Sequence, residues 1–382
     1  MYSNKYLYCS LYIHIPWCIK KCYYCDFYSL IYHKDNKKIQ KKYIDHLIID
    51  LKNELLIIKK NIYITSIFFG GGTPSLIETE FIQYFLYEIK KLIYIPKDIE
   101  ISMEMNPTLL NIKNIIKYSI HDINRISIGV QSFNNQHLKN LGRIHSNKDV
   151  YNTIYKILKY KSFTINLDLI YGLPNQTIKD VKKDLNCAIN IFPEHISWYQ
   201  LTIEKNTLFG RYQPKNLPNN DILWKMFISG KNILKKYNYL HYEISSFAKN
   251  KLNKCKHNLN YWYNKDYLGL GCASHSKITN NNKIIRTIRN KSIKQYINGN
   301  YVISRTILKT QDKIFEFFLN RTRLLQNIKK EDFIKTTGLK LKYVLPFINQ
   351  AIKLGYMRQN DKYWIITNKG YLFLNNLLEI FI

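Results

Sequence analysis

Acidic residues are scarce in this chain: 27 Asp and Glu stand against 58 Lys and Arg among 382 residues, a formal net charge of +31. Arginine is scarce too, with nine residues, Arg125, Arg143 and Arg286 among them. The lysines are scattered among Asn, Ile and Tyr along the whole length instead of forming a stripe. That argues against nucleic acid as a partner, since phosphate neutralisation needs a clustered basic face. A surface of this sign still favours anionic partners. Long apolar runs are missing as well, because no stretch of about 18 apolar residues is free of charge. The start, MYSNKYLYCSLYIHIPWC, has neither a basic leader segment nor a small-residue cleavage site. The chain therefore reads as soluble and cytoplasmic, with no transmembrane segment and at most a transient membrane association. Solenoid repeats and low-complexity tracts are absent. Seven cysteines are too few and too uneven for a disulfide framework. Three of them, Cys18, Cys22 and Cys25, crowd into one short segment, which points to metal in a reducing compartment.

What the chain does contain is enough apolar side chain, 46% of the residues, to bury a large core. Short β-branched and aromatic runs alternate with segments of helical period, the sign of βα units around a parallel sheet. Strands are expected at Leu7–Ile13, Ser66–Phe69, Glu100–Met105, Arg125–Val130, Thr164–Tyr171 and His195–Ile203. Amphipathic helices are expected at Lys38–Lys60, Glu78–Leu92, Leu109–Tyr118, Lys148–Tyr160 and Ile178–Asn190. Six such repeats fall short of the eight of a closed barrel, so the fold class is α/β, a partial (β/α)6 TIM-like barrel. This core occupies residues 1–237, its last helix being Ile222–Tyr237, and a connecting region fills 238–309. From Thr310 the pattern changes to helices at Asp312–Leu325, Lys330–Lys335 and Val344–Leu354. A hairpin of Tyr356–Arg358 and Tyr363–Thr367 around Asn360–Asp361 and a last helix follow. Residues 310–382 thus read as a smaller, mainly helical, winged-helix-like domain, better explained as a cap on the barrel than as a DNA reader.

The segment that carries chemistry is Cys18-Ile-Lys-Lys-Cys22-Tyr-Tyr-Cys25-Asp-Phe27, in a loop after the first strand. Thiolates are soft ligands suited to iron–sulfur clusters or zinc. Three of them on a four-iron cluster leave one iron open for a ligand; the competing readings are zinc completed by a distant His or Cys, or ordinary buried cysteines. One strand later comes Gly70-Gly71-Gly72-Thr73-Pro74, where glycines permit positive φ and close approach of backbone to a ligand. It lies at the carboxyl end of a strand, the face on which barrel proteins bind their ligands. It has neither the Lys of a phosphate-binding P-loop nor the spacing of a dinucleotide fingerprint.

A C-x3-C-x2-C triplet followed by GGGTP resembles the radical SAM superfamily. The resemblance implies a [4Fe–4S] cluster on Cys18, Cys22 and Cys25. It also implies S-adenosylmethionine (SAM) chelating the open iron through its amino and carboxylate groups, with the glycine turn meeting the amino group. More narrowly, the whole chain is similar to the oxygen-independent coproporphyrinogen-III oxidase family. On that likeness Tyr12, Gly71, Gly72, Thr73, Glu104, Gln131, Arg143 and Asp168 line the SAM pocket. Their chemistry suits it, since Arg forks onto carboxylates while Glu and Asp accept from hydroxyl or ammonium donors.

Two departures separate the chain from the oxidase. Phe27 stands where the oxidase carries a fourth cysteine, and only 17 residues precede Cys18. Both features resemble a sister branch, the haem chaperones, whose C-x3-C-x2-C-D-F signature is repeated here. His257-Asn-Leu-Asn-Tyr261-Trp262 resembles the HNxxYW element of that branch, with Tyr242-Glu-Ile-Ser245 before it, and Tyr267-Leu-Gly-Leu-Gly271 and His275 after it. The resemblance implies haem as a third cofactor and haem-acceptor proteins as partners, with no established catalytic residue. His257 is either a haem ligand beside Tyr261 and Trp262 or a hydrogen-bonded side chain in a buried turn closing the barrel. The alternative function is a coproporphyrinogen-III dehydrogenase acting by radical SAM oxidative decarboxylation.

Overall fold

The computed structural model describes residues 6–32, 37–108, 112–120, 122–160, 163–281 and 283–382. Six parallel strands form its centre: β1 (Tyr6–Ile15), β2 (Asn61–Gly71), β3 (Glu100–Met105), β4 (Arg125–Gln131), β5 (Thr164–Tyr171) and β6 (His195–Gln200). Helices α1 (Lys37–Ile58), α2 (Thr79–Lys90), α3 (Ile112–Ile120), α4 (Asn135–Asn140), α5 (Asn147–Leu158) and α6 (Ile178–Ile189) connect them. The expected start of α3, at Leu109, lies outside the described residues. Helix starts follow local chemistry. Ser146 and Thr177 cap α5 and α6 in reciprocal boxes with Asp149 and Asp180, satisfying amides that the first turn leaves free.

Each strand is two-faced, as its period of two requires. Leu11, Ile13, Ile67, Phe69, Ile101, Met103, Ile126, Ile128, Leu167, Ile196 and Trp198 join the apolar core under the helices. The alternate positions, among them Ser102, Arg125, Ser127, Asn166, His195 and Ser197, line an interior cavity of about 260 Å³. The barrel interior is therefore polar, and its outer face carries most of the stabilising burial.

The connecting region is more regular than its sequence suggests. It supplies β7 (Leu240–Glu243), β8 (Ser246–Ala248), β9 (Asp266–Leu270), β10 (His275–Asn280) and β11 (Lys283–Arg289), and Val302–Ile307 follows as β12. The sheet thus has twelve strands in the order β12-β11-β10-β9-β1-β2-β3-β4-β5-β6-β8-β7. Strand β9 runs parallel to β1, so the barrel gains a seventh parallel strand and remains open.

The C-terminal residues carry helices Thr310–Arg321, Lys330–Thr337 and Leu345–Lys353 with a small three-stranded sheet, around a core of their own containing Phe317, Phe318, Phe333 and Trp364. The last expected helix is two short ones, Asn368–Leu372 and Leu374–Glu379. This unit meets the barrel through Arg286, which forks onto Glu316 at 2.9 and 2.7 Å, and through the Arg323 guanidinium stacked 4.3 Å over the Trp262 ring. Among the described residues no helix is long and apolar enough to cross a membrane.

Candidate functional site

The loop after β1 is tied at its base. Trp17–Cys18 pairs in parallel with Leu30–Ile31, and the amides of Leu30 and Tyr32 donate to the carbonyls of Pro16 (2.6 Å) and Cys18 (2.8 Å). Between these ties, Cys18, Cys22 and Cys25 are partly exposed free thiols. The loop is anchored to the barrel at Tyr23, whose amide donates to Leu141 (3.1 Å) and whose carbonyl accepts from Phe209 (2.9 Å). The glycine turn is sewn to the same loop, since Gly72 and Thr73 donate to the carbonyls of Ile15 and Trp17, both at 2.7 Å.

Glycine is required in that turn on two grounds. Gly71 has φ +110°, and an added Cβ would sit 2.6 Å from the His14 ring. At Gly72 a Cβ would lie 2.5 Å from the Trp17 carbonyl oxygen.

These elements enclose a cavity of about 430 Å³ at the carboxyl ends of the strands. Cys18, Cys22, Cys25, Gly71, Gly72, Thr73, Glu104, Gln131, Arg143 and Asp168 all line it. Tyr12 does not. Its hydroxyl is bonded to His14 Nδ1 at 3.0 Å, and its ring faces the interior cavity below. Sequence reading missed Tyr24, Ser127, Tyr199 and Gln200 in this wall. Ser127 and Tyr199 sit at inward positions of β4 and β6, a period-two signal that becomes readable once the strand faces are known.

The hydrogen bonds assign sides to the cavity. Arg143 donates through Nη1 to Cys22 Sγ (3.3 Å) and through Nη2 to the Gly129 carbonyl (2.7 Å), while its Nε is buried without a partner. Thr73 Oγ1 lies 3.5 Å from Cys18 Sγ. Burial pushes the Cys25 thiol up to about 11 and that of Cys18 upward as well. Bound metal reverses this preference, because coordination deprotonates a thiol outright. Soft donors in a loop, a guanidinium and a hydroxyl turned to their sulfurs, and an adjoining cavity fit an iron–sulfur cluster with a second ligand beside it.

Across the cavity are two half-buried carboxyls. Glu104 Oε2 accepts from the Gly71 amide at 3.1 Å, and Asp168 accepts from Ser127 Oγ (2.8 Å) and Asn166 Nδ2 (2.9 Å). Burial, with Asp168 adding repulsion, lifts Glu104 to about 8; burial raises Asp168 also. Such a pair suits a ligand that brings ammonium or hydroxyl donors. In the ligand-free protein, folded Glu104 keeps a proton that the unfolded chain releases near the ordinary 4.5. Stability therefore falls as pH rises from about 4.5 to about 8 and stays lost above that. Glu104→Gln is expected to flatten this slope, read as the urea midpoint across that pH range. A slope as steep as in the wild type would show that Glu104 is not the group responsible.

The HNxxYW segment lies elsewhere. Helix Lys256–Trp262 plugs the barrel end where β3 and β4 begin: Glu100 accepts from the amides of Lys256 (3.1 Å) and His257 (3.0 Å), and Arg125 donates to Asn253. His257 is 1% exposed, and its ring nitrogens are taken by Ser66 Oγ and Tyr261 Oη, both at 3.0 Å. Burial depresses its pKa to about 3, so the ring is neutral. Trp262 packs under Arg323 of the C-terminal unit, with its indole nitrogen buried. The buried-turn reading of His257 is thus the one the geometry matches.

Comparison with known proteins adds the family. A model described as the radical SAM superfamily matches residues 12–188, and one described as the HemN C-terminal domain matches 308–373. The chain is 47% identical to "Heme chaperone HemW" of Buchnera aphidicola subsp. Schizaphis graminum, over 98% of both chains. It is 42% identical to the protein of the same name in Escherichia coli, again over 98% of both. It superposes on the coproporphyrinogen III oxidase HemN of Escherichia coli with a TM-score of 0.82, covering 99% of this chain and 90% of that one; at 21% identity this likeness concerns the fold. With curated relatives this similar along nearly their full length, the chain belongs to the heme chaperone HemW family, within the radical SAM superfamily.

Proposed function

We propose that this chain is a cytoplasmic haem chaperone that binds haem and passes it to acceptor proteins. It holds one [4Fe–4S] cluster on Cys18, Cys22 and Cys25, with exchangeable SAM at the open iron. The observation that carries this reading is the arrangement of three free cysteines, the Gly71–Thr73 turn and the carboxyls of Glu104 and Asp168 around one cavity, in a chain whose relatives are named heme chaperones. When bound, the cluster supplies a site that chelates SAM and can pass it an electron. The protein's own part is placement. Arg143 faces the sulfur of Cys22, Glu104 and Asp168 offer acceptors to the ligand's donors, and the glycine turn lets backbone approach closely. Phe27, where the oxidase has a further cysteine, supports chaperone over oxidase.

The test is haem titration of anaerobically prepared, cluster-loaded protein with and without SAM, followed by absorption spectroscopy and transfer to an apo-acceptor. Saturable binding and transfer are expected. Incubation with coproporphyrinogen III and SAM under reducing conditions should yield no protoporphyrinogen; its formation would replace this reading with catalytic decarboxylation. Arg143→Ala is expected to weaken SAM binding about 10- to 100-fold, the scale of a hydrogen bond to a charged group. Unchanged affinity in calorimetry would remove Arg143 from the site.

A further inference from the structure

A second cavity, of about 420 Å³, opens beside the cysteine loop, within the usual range of about 300–1,000 Å³ for cofactor sites. Its walls include Phe27, Tyr28, Tyr267, Ala273, His275 and Lys291. Phe27 is 57% exposed, a large apolar ring left in solvent at the rim. It lines the cysteine cavity as well, so the two spaces share one wall.

The turn that carries His275 is built with care. Gly271 (φ +94°) and Ala273 (φ +59°) both adopt left-handed backbone, which a non-glycine residue keeps only when its surroundings enforce it. The enforcement is visible. Cys272 N donates to Tyr43 Oη (2.8 Å), Gly271 N to Tyr296 Oη (3.0 Å), and Ala273 N to the Asn290 carbonyl (3.0 Å). From this rigid turn His275 begins β10, its backbone paired with Ile288 and its side chain exposed at the cavity.

The other described histidines are ill placed to meet an iron. His14, His195 and His257 are buried, with both ring nitrogens hydrogen-bonded inside the protein. His145 and His241 donate through Nε2 to the carbonyls of Val130 and Ile244, His46 is bonded to Tyr301, and His137 is buried beside Asp180. His275 alone among them is exposed. Partial burial, with Arg286 and Lys291 nearby, lowers its pKa, so the imidazole is the neutral form that metals take.

Resting on the haem-chaperone reading above, we propose that haem docks in this second cavity, with the His275 imidazole as axial ligand to its iron. Phe27, Tyr28 and Tyr267 flank the macrocycle, and Lys291 meets a propionate, with Asp26 the opposing charge at the rim. Haem placed here touches the loop that carries the three cysteines and Tyr261 of the HNxxYW helix, whose His257 stays sealed inside the barrel.

The experiment is ferric haem titration of the full, cluster-loaded chain, read by the Soret band and electron paramagnetic resonance. His275→Ala is expected to weaken binding about 10-fold or more and to lose the histidine-ligated spectrum, with added imidazole restoring it. Lys291→Glu should weaken binding of haem but not of its dimethyl ester. His257→Ala, if folded with full cluster content, should keep the wild-type spectrum. Wild-type affinity and spectrum in His275→Ala would overturn the site and leave the chaperone reading standing. So would loss of the spectrum in His257→Ala at full cluster content. Absence of haem binding in the wild type would overturn both.

Discussion

Cys22→Ser is expected to strip the chain of iron and inorganic sulfide while leaving it folded. A serine oxygen is a hard, poorly ionised donor where the metal prefers a soft thiolate, and two remaining cysteines hold too few corners of a cubane. The variant also loses the sulfur to which Arg143 Nη1 donates at 3.3 Å, leaving a charged donor turned into the cavity. Folding should survive. Cys22 is partly exposed in a loop held by backbone bonds, among them Cys25 N to the Cys22 carbonyl at 3.2 Å, which the substitution leaves in place. Iron and sulfide analysis after anaerobic reconstitution, with far-UV circular dichroism for the fold, makes the measurement. Full iron and sulfide in the variant, or zinc in place of iron in the wild type, would end the cluster assignment.

The largest expected loss of stability comes from Arg289, far from any cysteine. It is 0% exposed in the last residue of β11; its Nε donates to Asp50 Oδ2 at 2.8 Å and its Nη2 lies 3.1 Å from Glu54 Oε1, both acids being in α1. Tyr296 Oη donates to the same Asp50 oxygen at 2.7 Å, and Arg305 of β12 reaches Glu54 from the far side. This cluster fastens the antiparallel edge of the sheet to the first helix. Burial already raises Asp50 despite its arginine. Arg289→Met leaves buried Asp50 without its counter-charge and Glu54 with Arg305 alone, at a cost of about 3–5 kcal/mol. The folded-state pKa of Asp50 then rises further, so the variant should regain stability as pH falls and lose more as pH rises. Adding Asp50→Asn and Glu54→Gln should recover much of the loss. A urea midpoint for Arg289→Met within error of the wild type would show that the cluster contributes nothing.

The contrast between these two residues reflects what a sequence displays. The cysteine triplet, the glycine run and the βα alternation are local patterns, with partners a few residues apart or a repeating period. Strands β3 and β5 came out with the expected ends because they are apolar, bounded and flanked by helices. The strands of residues 240–307 did not announce themselves. Strand β12 is largely exposed, Lys277 and Arg289 bury charges in β10 and β11, and the turn before β10 relies on left-handed Ala273 where a glycine would have marked it. Tyr12 shows the same limit at the site. Strand alternation turns it to the barrel interior, and a one-dimensional motif cannot tell that face from the one bearing the cysteines.

By itself the order of residues determined the cysteine triplet, the glycine turn beside it and the repeating βα architecture, since each depends on neighbours in the chain and on the backbone conformations glycine allows. The tertiary structure alone decided which distant groups share a cavity. Arg143 reaches Cys22 across 121 residues, and His257 meets Ser66 across 191. It also decided that one histidine is sealed inside while His275 stands in the open. Burial and counter-charge are properties of the packed chain, and the same imidazole changes its chemistry with the side of the sheet on which folding leaves it.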